Sequence, residues 1–199
     1  MDVCNLSRRS VLLGATAFGF AAAATRAGAN PDFDLGPPVN AKAPDIGAPA
    51  DQTGKPRSLA SLMGDKGLVL FFFRSVVWCP FCQAQLMELN AGLKQIEQRG
   101  YKVAGLTYET SDVQKEFSDR RKIGFTLLAD PGSKIIDTYK LRDPQYSKGD
   151  FAYGVPRPII FILDKNGVIR AKLYEETYTK RPPLTLVLET IDKIAKGTA

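Results

Sequence analysis

An apolar run followed closely by two cysteines spaced as Cys-x-x-Cys restricts the fold more than any other feature of this chain. The run Leu68 to Phe73 has the length and composition of a β-strand buried on both faces of a sheet. From the first cysteine onward, apolar positions recur every three or four residues, which predicts one α-helix that ends at Gly100. The positions of this stripe are Cys79, Cys82, Leu86, Leu89, Leu93 and Ile96.

The segments on either side predict an α/β fold with one central mixed sheet and helices on both faces. The order is β-α-β-α, an extension, then β-β-α. The supporting signals are a capped helical turn from Ser58, a strand at 102–108, a capping box of Ser111 with Gln114 that opens a helix to about Lys122, a short helix after Pro131, an Asn166-Gly167 hairpin between strands at 159–163 and 168–174, and a last helix from Leu184 to Gly197.

The spacing of the two cysteines assigns them different chemical roles. Cys79 falls at the N-terminus of the predicted helix, where free N–H groups and the helix dipole stabilise a thiolate, so it is the expected nucleophile. Cys82 lies one turn further on, on the buried stripe, and is expected to resolve a mixed disulfide formed by Cys79. Pro80 suits the first helical turn, where a missing N–H costs nothing.

The amino-acid composition excludes several other functional roles for the cysteine pair. The chain contains no histidine, which excludes a Cys₂His₂ zinc site and cysteine–histidine hydrolysis. A purely structural disulfide between positions i and i+3 would constrain the unfolded chain very little. A Cu(I) carrier that binds the metal through two thiolates is left open as a non-enzymatic alternative. We otherwise expect neither a metal nor a cofactor.

The first 29 residues have the three parts of an export signal. Arg8 and Arg9 precede the apolar run 11–24, and Ala27-Gly28-Ala29 gives a cleavage site, so the sequence predicts a periplasmic domain of residues 30–199. The flanks are typical of a twin-arginine signal, and an uncleaved run that tethers the domain is the alternative. Cleavage removes three arginines, one aspartate and Cys4, and it lowers the formal charge from +6 to +4. That excess is too small to indicate nucleic acid binding.

Four segments of the sequence resemble the thioredoxin-like redoxins, and more narrowly the alkyl hydroperoxide reductase / thiol-specific antioxidant branch that includes peroxiredoxins. They are "APDI" with "GKPRSLASL", "LVLFFFRSVVWCPFC", "GFTLLADPGSKIIDTYKL" and "GVPRPIIFILDKNGVIRAK". The resemblance covers about residues 40 to 175. It implies a thioredoxin fold with the N-terminal and mid-chain extensions of redoxins.

The resemblance also implies several substrate-binding residues around the cysteines. Redoxins place a cis-proline opposite the cysteine pair, for which Pro158 is the first choice and Pro156 the reserve. Trp78 would flank the sulfurs or pack in the core. An arginine near the nucleophile would be Arg157, one residue before the family's usual place, with Arg74 as the other choice.

Two departures from the family's patterns bear on the activity. Peroxiredoxins carry a Pro-x-x-x-Thr/Ser-x-x-Cys pattern, whereas Phe72 and Val76 occupy those places before Cys79. Thioredoxins carry an acidic residue in the strand before the cysteines, and the strand here has none. The main expectation is therefore an exported thiol-disulfide oxidoreductase, and the alternative is a hydroperoxide reductase in which Cys79 is peroxidatic and Cys82 resolving. Either would need a separate thiol redox partner, and the sequence does not define the oligomeric state.

Overall fold

A computed structural model describes residues 34–177 and 179–198. Five strands form one sheet: Gly67–Phe72 (β1), Tyr101–Thr107 (β2), Thr126–Ala129 (β3), Ile159–Asp164 (β4) and Ile169–Leu173 (β5). The helices are Leu59–Leu62 (α1), Pro80–Ala91 (α2), Leu93–Glu97 (α3), Ser111–Arg121 (α4), Lys134–Thr138 (α5) and Leu184–Ala195 (α6). The predicted export signal lies outside the described residues.

The sheet is mixed, and its strand order is β3-β2-β1-β4-β5. Strands β1, β2 and β3 run parallel, β4 runs antiparallel to β1, and β5 runs antiparallel to β4. Because β1 and β2 are parallel neighbours, their carboxyl ends lie side by side at one edge of the sheet. The chain that leaves β1 toward the cysteines therefore passes next to the chain that leaves β2.

Strand β1 is buried on both faces, as the sequence predicts. Val69, Phe71 and Phe73 point to a core shared with α2, α4 and α6. The alternate residues, such as Phe72, point to a second core shared with α1, α5 and the N-terminal segment. The expectation that the three adjacent phenylalanines are core residues is confirmed, and their alternation divides them between the two faces.

The helix that carries the cysteines is shorter than its apolar stripe predicts. It ends at Ala91, and Gly92 separates it from α3. A Cβ atom at Gly92 would lie 2.2 Å from Cδ2 of Leu184, so the helix surface is indented where α6 crosses it. The prediction of one continuous helix to Gly100 is wrong because α6 packs into this break.

The capping box predicted for α4 is also wrong. Thr110 is the N-cap, and Ser111 already lies inside the helix. Gln114 instead donates its side-chain amide to the carbonyl of Leu128, 2.9 Å away, and so joins α4 to β3. The hairpin predicted at Asn166-Gly167 does connect β4 to β5, and Oδ1 of Asp164 accepts hydrogen bonds from N–H groups within its turn. None of the helices in the described residues is long and apolar enough to cross a membrane.

Candidate active site

Cys79 is the N-cap residue of α2. Its backbone is extended, and its Sγ accepts a hydrogen bond from the N–H of Cys82 at 3.2 Å. Pro80 occupies the first turn, as predicted, where its missing N–H is not needed. This sulfur therefore caps the positive end of the helix dipole, which is the position that stabilises a thiolate.

Cys79 and Cys82 are joined by a disulfide, and their Cα atoms are 5.3 Å apart. Both residues are buried, with exposed fractions of 3% and 0%. Within the part of the chain that the structure describes, no group of three or more cysteine, aspartate and glutamate residues could hold a metal ion. The geometry is that of the oxidised state of a dithiol pair.

Arg181 lies directly against this disulfide. Its Nη2 is 3.4 Å from Sγ of Cys82 and 3.8 Å from Sγ of Cys79. Burial lowers the pKa of the Arg181 guanidinium to about 10, and the charge of Arg74 acts in the same direction. The sequence analysis missed this residue because it lies 99 positions after Cys82 and belongs to no motif.

Glu109 holds the loop that leads from β1 to Cys79. It follows β2, and its carboxylate accepts hydrogen bonds from Oγ of Ser75 at 2.5 Å and from the N–H of Val76 at 2.9 Å. Oγ of Ser75 in turn accepts from the N–H groups of Val77 and Trp78. Burial raises the pKa of Glu109 above its ordinary value, although these hydrogen bonds act in the opposite direction. An acidic residue just after β2 therefore fixes the loop between β1 and Cys79.

Trp78 is half-buried and packs against the core that contains both cysteines. Its Nε1 donates to the hydroxyl of Tyr108 at 3.1 Å, and its ring meets Phe151 edge-on with centroids 5.4 Å apart. The guanidinium of Arg74 lies 5.2 Å from the centroid of the same ring. Trp78 therefore contacts the core, and its position beside the sulfurs stays a prediction.

The two arginines named in the sequence analysis lie in different surroundings. Arg74 is buried, donates to the hydroxyl of Tyr146 at 2.5 Å and lies 3.8 Å from a carboxylate oxygen of Asp143. Arg157 lines a cavity of about 140 Å³ together with Asp143, Glu175 and other residues, and neither cysteine belongs to that lining. The structure therefore brings Arg181, and not Arg157, to the sulfurs.

The expectation of a cis-proline is wrong, because the described residues contain no cis peptide bond. Pro156 forms an antiparallel bridge with Arg142, and the N–H of Arg157 donates to the carbonyl of Leu141 at 2.7 Å. This pairing keeps the segment before β4 extended with trans peptide bonds. Pro158 does line a small cavity with Arg181, Gln85 and neighbouring residues, so it lies in the same region as the cysteine pair.

Apolar side chains are exposed around the buried disulfide. Val77, two residues before Cys79, is 65% exposed, and Phe151, which contacts Trp78, is 76% exposed. Phe81, between the two cysteines, is also exposed. Exposed large apolar residues clustered in this way are typical of surfaces that contact another molecule.

A disulfide at the N-terminus of a helix, beside the central strand of a mixed sheet, defines the thioredoxin-like class of thiol redox proteins. More narrowly, the model of the AhpC/TSA family matches residues 39–172, so the chain belongs to this family. The family resemblance inferred from the sequence is confirmed.

Curated relatives of the chain are named as peroxiredoxins. The chain is 29% identical over 120 residues to peroxiredoxin Q of Sedum lineare, a match that covers 60% of each protein. It is 33% identical over 93 residues to peroxiredoxin bcp1 of Schizosaccharomyces pombe, covering 47% of each, and 25% identical over 119 residues to peroxiredoxin Bcp of Escherichia coli, covering 60% of this chain and 74% of that one. The chain spans about 60% of the length of the first of these relatives.

Solved structures of the same type match more of the chain. Peroxidoxin BcpB of Mycobacterium tuberculosis superimposes with a TM-score of 0.68 at 20% identity, covering 81% of this chain and 99% of that one. A peroxiredoxin-like protein from Aquifex aeolicus gives a TM-score of 0.66 at 18% identity, with 80% and 91% covered. At this identity the comparison bears on the fold alone, and it confirms the expected thioredoxin fold.

Proposed function

We propose that this protein is a two-cysteine peroxidase that reduces hydroperoxides through Cys79 and Cys82. The observation that carries the proposal is the disulfide between a cysteine at the N-cap of α2 and a second cysteine one turn later. The two sulfurs of such a pair lie within bonding reach in one turn of the same helix. The names of the relatives favour a peroxide as the oxidant, and thus favour the alternative of the sequence analysis over its main expectation.

The proposed cycle has three balanced steps. The Cys79 thiolate attacks one oxygen of the hydroperoxide, the O–O bond breaks, and the products are a sulfenic acid on Cys79 and, after protonation, an alcohol or water. The Cys82 thiol then attacks the sulfenic sulfur, which forms the disulfide and releases water. Two thiol groups of an external reductant finally reopen the disulfide and are themselves oxidised to a disulfide.

The hydroxyl that peroxiredoxins place three residues before the nucleophile is replaced by Val76. The nearest hydroxyl in sequence, that of Ser75, is used to bind Glu109. Removing one preorganised donor of this kind costs on the order of 10²-fold in rate. The helix N-terminus and the Arg181 guanidinium remain as stabilising groups at the sulfur, so we expect peroxide reduction that is slower than the full motif would give but faster than that of a free thiol.

The test uses Trp78, the only tryptophan in the chain, as a reporter beside the cysteines. The reduced protein is mixed with hydrogen peroxide in a stopped-flow instrument, and Trp78 fluorescence is followed together with peroxide consumption in the presence of dithiothreitol. We expect oxidation at least about 10²-fold faster than that of a free thiol of equal pKa. Cys79→Ser should abolish turnover, and Cys82→Ser should accumulate a sulfenic acid that dimedone labels at Cys79.

A rate equal to that of a free thiol would contradict the proposal. Loss of turnover in Cys82→Ser with no dimedone adduct at Cys79 would contradict the assignment of roles. The variant Ser147→Ala, in an exposed loop, serves as a control for a substitution that leaves both cysteines in place.

Thiol-disulfide exchange with a protein substrate is the second candidate. It is favoured by the exposed apolar side chains of Val77, Phe81 and Phe151, which surround the disulfide and would suit a protein partner more than a small peroxide. In this case reduced protein should exchange rapidly with a small protein disulfide. Cys82→Ser should trap mixed disulfides, whereas Cys79→Ser should trap none.

A further inference from the structure

The guanidinium of Arg181 contacts both sulfurs, but unequally. Nη2 lies 3.4 Å from Sγ of Cys82 and 3.8 Å from Sγ of Cys79. Cys79 already has the N-terminus of α2 to stabilise its negative charge, since its Sγ accepts from the N–H of Cys82. Cys82 lies inside the helix, where the dipole gives less support. Arg181 is therefore placed to stabilise a negative charge on Cys82.

The segment that carries Arg181 is fixed to the same helix as the cysteines. Nε2 of Gln85 donates to the carbonyl of Pro182 at 3.1 Å, and a carboxylate oxygen of Glu88 accepts from the N–H of Leu184 at 2.9 Å. The side chain of Leu184 then fills the space above Gly92. Side chains on α2 and the glycine that follows it thus hold residues 182–184, and this docking positions the arginine over the sulfurs.

The electrostatic attraction between the Arg181 guanidinium and the sulfurs is strongest when the disulfide opens and a thiolate forms. Charged groups near this guanidinium include Arg74, whose charge disfavours the Arg181 cation, and Lys180 and Glu175, which line the same small cavity as Arg181. The sulfurs of a disulfide carry no net charge, whereas a leaving sulfur becomes a thiolate. A half-buried guanidinium stabilises such an anion more than it could in water, because the local dielectric constant is lower.

We propose that Arg181 is a catalytic residue that stabilises the Cys82 thiolate as the leaving group when a reducing thiol opens the disulfide. The thiolate of the reductant attacks Sγ of Cys79, a new S–S bond forms, the bond to Cys82 breaks, and its electron pair stays on Sγ of Cys82. A second thiol of the reductant then displaces Cys79 and completes its own oxidation to a disulfide. The inference rests on the proposed function only in that the Cys79–Cys82 disulfide is the oxidised state of the cycle.

This assignment differs from the one that family resemblance implies. The resemblance gives the arginine role to Arg157, which lines a separate cavity, or to Arg74, whose guanidinium donates to Tyr146 and lies near Asp143. Arg181 lies beyond residue 172, where the match to the family model ends. The contact with the sulfurs is thus made by a part of the chain that the family pattern does not describe.

The test compares Arg181→Met and Arg181→Gln with Arg120→Met, which removes an exposed arginine of α4. All variants carry Cys4→Ser so that only Cys79 and Cys82 react. Oxidised protein is mixed with dithiothreitol, and disulfide opening is followed by Trp78 fluorescence. We expect opening to slow by on the order of tenfold in both Arg181 variants and not in the control, because a leaving thiol of higher pKa leaves more slowly.

Two equilibrium measurements separate this role from a structural one. In a Cys79→Ser background, the pKa of Cys82, read from thiolate absorbance at 240 nm, should rise by at least about 1 unit on Arg181→Met. In the intact pair, loss of the arginine should make the disulfide harder to reduce by about tenfold, equivalent to about 30 mV. Arg181→Lys should restore part of each effect because it keeps the charge.

Equal rates and equal Cys82 pKa values in the Arg181 and Arg120 variants would overturn the proposal. So would a pKa shift on Arg181→Met that appears for Cys79 in a Cys82→Ser background but not for Cys82 in the Cys79→Ser background, or an effect of Arg157→Met that Arg181→Met lacks. None of these measurements uses a peroxide, so failure of the peroxidase proposal would leave their outcome unchanged. If Arg181→Met does not fold, Arg181→Gln gives the same comparison with a smaller polar side chain.

Discussion

Glu109 is the residue whose ionisation is most closely tied to the shape of the cysteine loop. It binds Ser75 and the N–H of Val76, and through Ser75 it reaches the N–H groups that lead to Cys79. It contacts neither sulfur in these interactions, so its role is to position the loop. The partly buried carboxylate exchanges hydration for two hydrogen bonds, and Ser75, one of its two donors, accepts two more from the N–H groups of Val77 and Trp78.

Glu109→Gln should change how stability depends on pH. Burial raises the pKa of Glu109 in the folded protein above the ordinary value of 4.5. As pH rises from 4.5 to the higher folded value, the unfolded chain has lost this proton and the folded chain still binds it, so the free energy of unfolding falls. Glutamine has no such titration. Relative to the variant, the wild-type protein should therefore lose stability through this window, by about 1.4 kcal/mol per unit of pKa difference.

Urea unfolding at intervals between pH 4 and pH 8 measures this difference. Glu116→Gln, at an exposed site on α4, reports the effect of losing one surface carboxylate. A constant difference between wild type and Glu109→Gln across the whole range would show that the carboxyl is not perturbed by burial.

Residues of the site differ in how far sequence predicts them. The chemical roles of Cys79 and Cys82 follow from local sequence. The apolar stripe that begins at Cys79 predicts a helix there, which puts Cys79 at its N-terminus and Cys82 one turn later. Glu109 was accessible in principle, since parallel pairing of β1 and β2 brings the residues after each strand together. Arg181 was not, because its contact depends on how the chain returns over α2 after β5. The failed cis-proline shows that a family feature does not transfer when local pairing differs.

At the scale of elements, β1 is the central strand of the sheet. It begins at Gly67, a position with no room for a side chain. A Cβ atom at Gly67 would lie 1.9 Å from the carbonyl oxygen of Leu163 on β4 and 2.7 Å from the ring of Tyr101 on β2. The first neighbour is backbone and cannot move without separation of the two strands. The apolar pattern of β1 can be recognised in the sequence. The close approach of three strands at Gly67 cannot, because it arises only when the sheet is assembled.

Gly67→Ala should destabilise the protein by about 1–3 kcal/mol, the usual cost of overpacking a filled interior. Gly124→Ala is the matched control. Its new Cβ would lie 3.1 Å from Cδ2 of Leu93, the end of a side chain that can adjust. Urea midpoints for the two variants, with slopes confirmed to be unchanged, give the comparison. Equal losses at the two sites would show that the β1–β4 contact is not the tight point.

At the scale of the whole molecule, helices cover both faces of the sheet and the cysteine pair lies at the carboxyl edge of its parallel part. A mixed sheet with helices on both faces followed from the α/β pattern and the family resemblance, whereas the order of the strands within the sheet and strand β3 did not. Helix ends did not, because contacts between elements set them, such as Leu184 against Gly92. We further propose that the whole protein works outside the cytoplasm, on the basis of the signal features in residues 1–29.

Changing Arg8 and Arg9 to lysine tests export by the twin-arginine route. We expect precursor to accumulate in the cytoplasm with Cys4 still attached, because that route reads the arginine pair itself and not only its charge. Cell fractionation and the mass of the protein measure the outcome. A single Arg26→Lys change, outside the pair, is the control. Normal processing of the double variant would indicate a general secretory signal instead, and unprocessed protein in the membrane fraction would support the tether.

Because residues 182–184 dock on α2, truncation of the chain before α6 should affect both the core and the surroundings of the disulfide. A protein that ends after Leu173 would keep all five strands, both cysteines and the whole span that matches the family model. It would lose Val187 and Ile191 from the core and leave the apolar surface beneath α6 open to water. The truncated protein should be prone to aggregation. Any soluble fraction would lack the Arg181 guanidinium that contacts the disulfide. The packed core of this domain therefore extends through α6, at least 20 residues past the end of the family match.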